Sequence, residues 1–339
     1  MEVILQNLDV VWFILVCVLF AGFFTLEGFD YGVGILLPFL GKTDVERRQM
    51  INTVGPVWDG NQVWMITAGG ATFASFPHVY ATLFSGFYLA LFLMLAALIA
   101  RGVAFEFRSK DKSIAWRKTF DYCIFFGSLI PALLWGVTVG NLIQGTPFDA
   151  QMNFVGGFFD LLSPYTILCG LAFILVFVYH GALYTAIKTT GPISERARAT
   201  ALVEGVITAV GALVLVGATY YFTDLFNSMI ATVAFALCIV FFLISWGFTR
   251  VRRPGVGFTF SCLSIISVTA AYFAGLFPRI MVSSLNPAWS LTIKNASSSE
   301  YTLTLMTIVA LIFVPIVLIY QGWTYWTFRH RVSPDDLHY

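Results

Sequence analysis

Apolar runs of about 20 residues or more recur along the whole chain, separated by short polar connections. An α-helix needs a run of about this length to cross the hydrocarbon core of a membrane. No connection is long enough to form a soluble domain. The pattern therefore predicts an all-α polytopic membrane protein with nine transmembrane helices. These predicted spans are residues 10–38, 55–76, 79–101, 119–143, 163–187, 201–223, 228–249, 258–281 and 302–326.

Lysine and arginine alternate between the two sides of the predicted membrane. The basic connections are 39–54, 102–118, 188–200 and 250–257, together with the tail after the last span. The other connections, around 77–78 and at 144–162 and 224–227, carry no lysine or arginine, and 282–301 carries one lysine. Because basic connections face the cytoplasm, the distribution predicts an N-terminus outside the cell and a cytoplasmic C-terminus.

The composition agrees with a chain surrounded by membrane lipid. Hydrophobic residues make up 58% of the sequence and charged residues 11%, as expected for membrane spans. The formal net charge is +1 and the basic residues are spread over short connections, so the charge predicts no nucleic-acid partner. The five cysteines lie in apolar segments without close pairing, which is typical of buried small hydrophobes.

A polar stretch opens the second predicted span. Residues 55–64 read Gly-Pro-Val-Trp-Asp-Gly-Asn-Gln-Val-Trp, and the apolar run resumes directly afterwards. Asp59 therefore lies within the span, where an acid near the centre costs roughly 2.5 to 3.5 kcal/mol, usually faces the protein interior and is usually functional. The structural alternative is an acid held by neighbouring polar groups: Trp58, Asn61, Gln62 and Trp64.

The first predicted span adds two acids, Glu27 and Asp30, whose spacing of three puts them on one helix face. With the predicted orientation, both lie in the cytoplasmic half, at a depth similar to that of Asp59. Three carboxylates at this depth cannot all ionise easily, which suits a group that takes up and passes on protons. The residues predict a proton or cation route from the cytoplasm. The alternative is a pair between one acid of the first span and Arg101, which ends the third span on the same side.

The sequence offers no metal or haem motif of its own. It has no C-x-x-C or C-x-x-C-H element and no pair of histidines at helical spacing. Of its four histidines, His180 is the one inside a predicted span. A hydrogen-bonded packing role for His180 is favoured over a role as ligand or proton carrier. We therefore expect no metal site and no bound cofactor in this chain.

Several motifs in this chain resemble subunit II of the cytochrome bd quinol oxidases, and the resemblance runs from end to end. The matching segments are 28–34 (Gly-Phe-Asp-Tyr-Gly-Val-Gly), 50–53 (Met-Ile-Asn-Thr), 58–64 (Trp-Asp-Gly-Asn-Gln-Val-Trp), 66–71 (Ile-Thr-Ala-Gly-Gly-Ala), 84–88 (Phe-Ser-Gly-Phe-Tyr), 140–145 (Gly-Asn-Leu-Ile-Gln-Gly), Phe277-Pro278 and Ser283-Ser284.

The resemblance implies a respiratory complex that oxidises quinol, reduces dioxygen to water and builds a proton motive force without pumping. In that family, subunit I binds two b-type haems and one d-type haem and carries the quinol-oxidising loop. The implied partners are this haem-bearing subunit I and a small single-helix accessory subunit, in the cytoplasmic membrane of a bacterium. Whether subunit II also holds a structural quinone stays open.

The resemblance also implies an architecture of two four-helix bundles and one peripheral helix, paired with subunit I as a pseudo-symmetric heterodimer. The first bundle then comprises residues 1–143, and the second comprises 144–281. The outer loop, ninth helix and cytoplasmic tail occupy 282–339.

Within the resemblance, Asp59 matches an acid implicated in a proton path toward the haem site. Asp30 and Glu27 match the acids of the first helix, although family members often have aspartate where this chain has Glu27.

Two other function classes remain open. A secondary transporter could use the same carboxylates for proton coupling, but it predicts broken helices in two inverted halves, and the sequence shows no convincing internal repeat. A purely structural subunit would use its acids to orient a partner. Measuring quinol-driven oxygen consumption with and without a haem-bearing partner separates the oxidase subunit, the transporter and the structural subunit.

Overall fold

The computed structural model describes residues 7–337, most of which are helical. The helices are α1 (Leu8–Leu40), α2 (Asp44–Val54), α3 (Trp58–Ser75), α4 (Pro77–Gly86), α5 (Tyr88–Phe107), α6 (Ile114–Gln144), α7 (Pro164–Lys188), α8 (Pro192–Phe222), α9 (Met229–Arg250), α10 (Pro254–Leu276) and α11 (Glu300–Thr327). Short 3₁₀ turns lie at Arg108–Lys110, Phe158–Leu161, Leu225–Asn227 and Pro287–Trp289. Two antiparallel strands are β1 (Arg279–Met281) and β2 (Leu291–Thr292).

Eight helices within residues 7–337 are long and apolar enough to cross a membrane, namely α1 and α5 through α11. This confirms a polytopic and predominantly helical membrane protein, while the count of nine spans stays a prediction. The predicted span 55–76 corresponds to α3, which begins with Trp-Asp-Gly-Asn-Gln. This polar first turn lowers the hydropathy of α3 below that of the other spans.

The third predicted span, 79–101, is wrong as a single helix. The helix is interrupted at Phe87, between α4 and α5. Gly86 is a poor helix former, and the ring of Phe154, from the connection between α6 and α7, packs directly on it. A Cβ atom at Gly86 would lie 2.7 Å from that ring. A contact from a distant part of the chain therefore occupies the break, which hydropathy alone could not reveal.

Helix α1 forms the centre of the fold, with 21 of its 33 residues buried. It packs against α3, α6, α7 and α10. Its crossing with α7 is especially close, because Gly32 faces Gly181 and a Cβ atom on Gly32 would lie 1.8 Å from the carbonyl oxygen of Phe177. Small residues allow such close backbone contact between membrane helices. In contrast, Gly69 and Gly70 of α3 touch nothing that would obstruct a Cβ atom within the described chain.

The basic connections and the tail meet at one end of the molecule, which we call the basic end. It comprises residues 41–57, 108–113, 189–191, 251–253 and 328–337 with the helix turns beside them. Ion pairs from Arg108 and Arg196 join the first segment to the second and to the start of α8. The Gln49 side-chain amide donates to the carbonyl of Val332 and so joins the first segment to the tail.

Arg108 lies at the centre of an ion-pair network at the basic end, with 1% of its side chain exposed. Its Nε donates to Asp121 Oδ1 at 2.5 Å, and its Nη2 donates to Asp44 Oδ1 at 2.9 Å. Arg47 also pairs with Asp121, and Arg117 with Asp44, each at 2.8 Å. The network ties α2 to the end of α5 and the start of α6.

A capping box begins α2 and connects it to α8. The Glu46 backbone N–H donates to Thr43 Oγ1, and the Thr43 backbone N–H donates to Glu46 Oε2, both at 3.2 Å. Arg196 of α8 donates to both carboxylate oxygens of Glu46, at 2.6 and 3.1 Å. These hydrogen bonds from Arg196 hold the pKa of Glu46 below its usual range.

At the opposite end, the long connections pack on one another. The Thr146 N–H donates to the carbonyl of Val282, and the Ser284 N–H donates to the carbonyl of Thr146, both at 2.9 Å. Arg279 of β1 pairs with Asp224 at 2.8 Å. These contacts join the connections that follow α6, α8 and α10.

We expect Glu46→Gln to lower the thermal unfolding midpoint at neutral pH by about 2 °C, the effect of roughly 1 kcal/mol in a chain of this size. Because the folded-state pKa lies below the unfolded value of about 4.3, the stabilisation is complete above that pH and is lost as the pH falls through the folded-state pKa. The thermal unfolding midpoints of the wild-type chain and of Glu46→Gln are measured by tryptophan fluorescence during heating in detergent, at neutral and at acidic pH.

The matched control for this experiment is Glu195→Gln. Glu195 pairs with Arg198 three residues away, and its side chain is 63% exposed, so its removal should leave the midpoint unchanged. If the wild-type midpoint exceeded that of Glu46→Gln by the same amount at neutral and at strongly acidic pH, the stabilisation would not come from the ionised Glu46 carboxylate.

Candidate functional site

Two buried carboxylates lie side by side on α1. Glu27 and Asp30 share one face of the helix, and each is 0% exposed. Residues three apart on a helix have Cβ atoms about 5 to 6 Å apart, so both side chains enter the same part of the protein interior. The structure therefore brings together two of the three acids that the sequence singles out.

Arg101 of α5 forms an ion pair with Glu27. Its guanidinium also lies over the rings of Tyr31, at 4.9 Å, and Phe105, at 5.4 Å. Space for the arginine comes from Gly127 of α6, where a Cβ atom would lie 2.5 Å from Arg101 Cβ. The pairing of a first-span acid with Arg101, an alternative that the sequence leaves open, is therefore present, and it involves Glu27.

Asp30 has a neutral partner. The amide nitrogen Nδ2 of Asn61 donates to Asp30 Oδ2 at 2.7 Å. The other end of the amide, Oδ1, accepts from the hydroxyl of Tyr325 at 2.6 Å and faces Nε2 of Gln321 at 3.4 Å. These contacts bring α1, α3 and the last helix, α11, together at one carboxylate.

Two indole rings of α3 contact residues of this site. Trp64 Nε1 donates to Gln321 Oε1 at 2.8 Å. Its ring occupies the space left by Gly22 of α1, where a Cβ atom would lie 2.3 Å from the ring. The ring of Trp58 packs on that of Phe105, with centroids 5.4 Å apart, so it supports the aromatic surface that lies under the guanidinium.

Asp59 does not join the buried pair. It lies in the first turn of α3, and its side chain is exposed on the described chain. Asn61 is two residues further and about 200° around the helix, so α3 cannot present both side chains to α1. Gln62 is partly buried, and its Oε1 has no hydrogen-bond partner within residues 7–337.

Buried polar atoms without a protein partner gather at the acid pair. Of eleven such side-chain atoms in the described residues, five belong to this site: Glu27 Oε2, Asp30 Oδ1, Tyr31 Oη, and Arg101 Nε and Nη2. Buried polar atoms normally bond to protein or to ordered water. The site therefore has the free hydrogen-bonding capacity that proton exchange with water requires.

His180 has a hydrogen-bonded packing role, as the sequence interpretation favours. Its Nε2 lies 3.0 Å from the carbonyl oxygen of Thr25, which can only accept, so Nε2 carries the proton. Nδ1 accepts from the Ser261 hydroxyl at 2.6 Å, and the ring stacks on Phe258. With both nitrogens engaged, His180 does not fit an axial haem ligand. Within residues 7–337, no group of three His, Cys, Asp or Glu residues is arranged to hold a metal ion.

Sequence reasoning missed the residues of α11. Tyr325 reads as a member of an interfacial aromatic belt, together with Trp323 and Trp326. The available signal was Gln321, an amide within a long apolar segment. A buried polar group in such a segment needs a hydrogen-bond partner, but the sequence does not show which helix supplies it.

The chain has close relatives over its full length. The family described as cytochrome bd terminal oxidase subunit II matches residues 8–328. Cytochrome bd ubiquinol oxidase subunit 2 of Bacillus subtilis is 42% identical over 334 residues, which cover 98% of this chain and 99% of the relative. Cytochrome bd-I ubiquinol oxidase subunit 2 of Escherichia coli is 39% identical over 367 residues, covering 98% and 97%.

A comparison of structures finds the same fold in a solved complex. A chain of the bd oxidase from Geobacillus thermodenitrificans matches with a TM-score of 0.78 and 16% identity, covering 95% of this chain and 98% of that one. At this identity, the likeness shows a shared fold alone.

We expect Arg101→Met to destabilise the folded chain by about 3 to 5 kcal/mol, because it leaves the buried Glu27 charge unpaired. The double variant Glu27→Gln with Arg101→Met should recover part of this loss, since it buries no unpaired charge. Size-exclusion chromatography in detergent and the thermal unfolding midpoint measure the recovery. A double variant no more stable than Arg101→Met would show that the ion pair does not dominate the cost.

Proposed function

Because the chain belongs to the cytochrome bd terminal oxidase subunit II family, we propose that it supplies its quinol oxidase complex with a proton path through Asp59, Asp30 and Glu27. The path leads from the cytoplasm toward the oxygen-reducing site. The observation that carries this proposal is the pair of fully buried carboxylates on α1. Ionisable residues are rare inside membrane helices and mark proton relays there.

The two acids of α1 have different parts in this path. Arg101 keeps its proton at any relevant pH, so Glu27 serves as its counter-ion. Asp30 accepts its hydrogen bond from the uncharged amide of Asn61. Asp30 can therefore bind a proton without depriving Arg101 of its counter-ion, which makes Asp30 the carrier and Glu27 the residue that keeps the neighbouring charge balanced.

The basic end faces the cytoplasm in this proposal, as the distribution of lysine and arginine predicts. Asp59 follows the basic end directly in the chain and is exposed on this subunit. A carboxylate inside a membrane helix is costly in contact with lipid and usually faces protein. We therefore place Asp59 at the interface with subunit I, where it receives protons from the cytoplasm.

We propose the rest of the complex by analogy with the family. Subunit I holds two b-type haems and one d-type haem, which supply electron transfer and oxygen reduction when bound. The complex builds a proton motive force without pumping, and it includes a small single-helix accessory subunit in the cytoplasmic membrane of a bacterium. Within this chain, residues 1–143 and 144–281 form the two bundles, and 282–339 form the outer loop, last helix and tail.

An apolar groove supports the proposal of a structural quinone or lipid tail in this subunit. The groove has a volume of about 650 Å³ and lies between α1, α3, α4, α5, α6 and α10. Aromatic side chains line it, among them Phe20, Trp135 and Phe273. Such a surface suits an isoprenoid or acyl chain by its apolar character.

A purely structural role for the acids is the second candidate. The ion pair between Glu27 and Arg101 favours it, because a permanently paired carboxylate can hold helices together without exchanging protons. Under this alternative, replacing the acids would reduce assembly of the complex rather than its turnover.

In the assembled complex, we expect Asp59→Asn to preserve the fold and haem content and to slow oxygen consumption about 100-fold, which corresponds to about 2.7 kcal/mol on the limiting step. Asparagine is nearly isosteric but cannot carry a proton. Asp59→Glu should keep more activity. Glu27→Gln should slow turnover of the assembled complex less than Asp59→Asn does, but it should lower the yield of that complex, because it leaves the buried Arg101 charge without its counter-ion. Oxygen-electrode rates per haem measure the series.

The control is Glu300→Gln, at an exposed acid in the first turn of α11, which should leave turnover unchanged. An Asp59→Asn complex that turned over at the wild-type rate would refute the path. Loss of the haem-bearing partner in Asp59→Asn would instead show that Asp59 holds the two subunits together and does not carry protons.

The chain expressed without its partner should bind no haem, because neither its sequence motifs nor His180 supplies an axial ligand. Absorbance spectroscopy of the purified chain, with the assembled complex as reference, measures the Soret band. A stoichiometric band that disappears in His180→Ala would refute this expectation.

A further inference from the structure

We propose that Tyr325 and Gln321 of α11 are positioning residues that hold the Asn61 amide with its NH₂ group toward Asp30. They thereby control proton exchange at that carboxylate. The inference rests on the proposed proton path and adds residues from a helix that the path does not otherwise use.

The direction of the hydrogen bonds follows from Trp64. An indole N–H can only donate, so its contact with Gln321 identifies the nearer atom as Oε1. The amide nitrogen of Gln321 must then face Asn61, where Oδ1 lies 3.4 Å away. If the Asn61 amide were turned round, two NH₂ groups would face each other.

Tyr325 completes the arrangement. Its hydroxyl donates to the same Oδ1 atom of Asn61 at 2.6 Å. With two donors on Oδ1, only Nδ2 is left to face Asp30, and it does so at 2.7 Å. Three residues from two helices therefore determine which end of one amide meets the carboxylate.

The orientation of this amide matters for proton transfer. An N–H group bonded to a carboxylate stabilises its ionised form, because a hydrogen bond to a charged acceptor is about twice as strong as a neutral one. A carbonyl oxygen in the same place would instead accept from the protonated acid. The amide itself does not titrate, so Asn61 sets how readily Asp30 releases its proton without carrying that proton.

The position of Tyr325 depends on few other contacts. Of the 28 residues in α11, only Leu303 is buried in the described chain. Beyond the helix, the Lys188 ammonium donates to the carbonyls of Phe328 and His330, and the Val332 N–H donates to the carbonyl of Lys188 at 2.7 Å. The tail thus anchors the final turn of α11 to the end of α7.

The test uses Tyr325→Phe in the complete complex, with its haem-bearing partner, a soluble short-chain quinol and dioxygen. Loss of one hydrogen bond should lower kcat about fivefold, leave the KM for quinol and the haem content unchanged, and raise the ratio of rates in H₂O and D₂O. The matched control is Tyr320→Phe, which removes a hydroxyl from an exposed ring of the same helix and should change none of these values.

A double-mutant cycle with Asp30→Asn shows whether Tyr325 acts through Asp30. In that background, Tyr325→Phe should change kcat by less than about 1.5-fold, since coupled residues are not additive. An equal loss in both backgrounds would overturn the inference, because Tyr325 would then act elsewhere. A wild-type rate in Tyr325→Phe would also overturn the inference. In either case, slow turnover in Asp30→Asn would still support the proposed proton path.

Two remaining outcomes are also decisive. An Asp30→Asn complex that turns over at the wild-type rate would refute the proton path at Asp30, and with it the inference. If the complex with Tyr325→Phe does not assemble, Gln321→Leu is measured in the same way, because it removes the second donor to Asn61. Failure of both variants to assemble would make the contact structural and overturn the positioning role.

Discussion

A buried positive charge is the constraint on which this structure depends. Arg101 is 1% exposed and cannot lose its proton. An unpaired charge at this position would cost several kcal/mol, so another helix must bring a carboxylate to it. Glu27 of α1 does so, and the absence of a side chain at Gly127 of α6 makes room for the arginine. Three helices are thereby brought together around one guanidinium.

The same pairing determines where the second acid lies. Asp30 is three residues beyond Glu27 on α1. Because Arg101 fixes the position of Glu27, Asp30 must face a neighbouring element at nearly the same depth in the membrane as Glu27. That element is α3, and its partner is the amide of Asn61. The ring of Trp64 against Gly22 keeps the two helices close enough for this bond. One ionic contact and one glycine contact thus position a hydrogen bond from a neutral amide to the Asp30 carboxyl group.

Hydropathy predicts most of the helices, because the length of an apolar run and the length of a membrane span obey the same constraint. It cannot predict the break at Phe87, which coincides with a ring packed on Gly86 from a distant connection. The acids were predictable as chemistry, since charge inside an apolar segment is costly. Their partners were not, because the face that Asp59 presents depends on the rotation of α3. The role of Tyr325 requires the packing of α11, more than 260 residues away from Asn61 in sequence.

The last helix shows why a polar contact can have two consequences in a membrane protein. Lipid is as apolar as leucine, so burial of apolar surface does not drive a helix against its neighbours. Helix α11 is held instead by hydrogen bonds such as that from Trp12 Nε1 to the carbonyl of Leu303, at 3.2 Å, and by the bonds of Tyr325 and Gln321 to α3. The bonds that dock the helix are therefore the bonds that orient the Asn61 amide. A displacement of α11 cannot leave the surroundings of Asp30 unchanged, which links the packing of a peripheral helix to the chemistry of a buried acid.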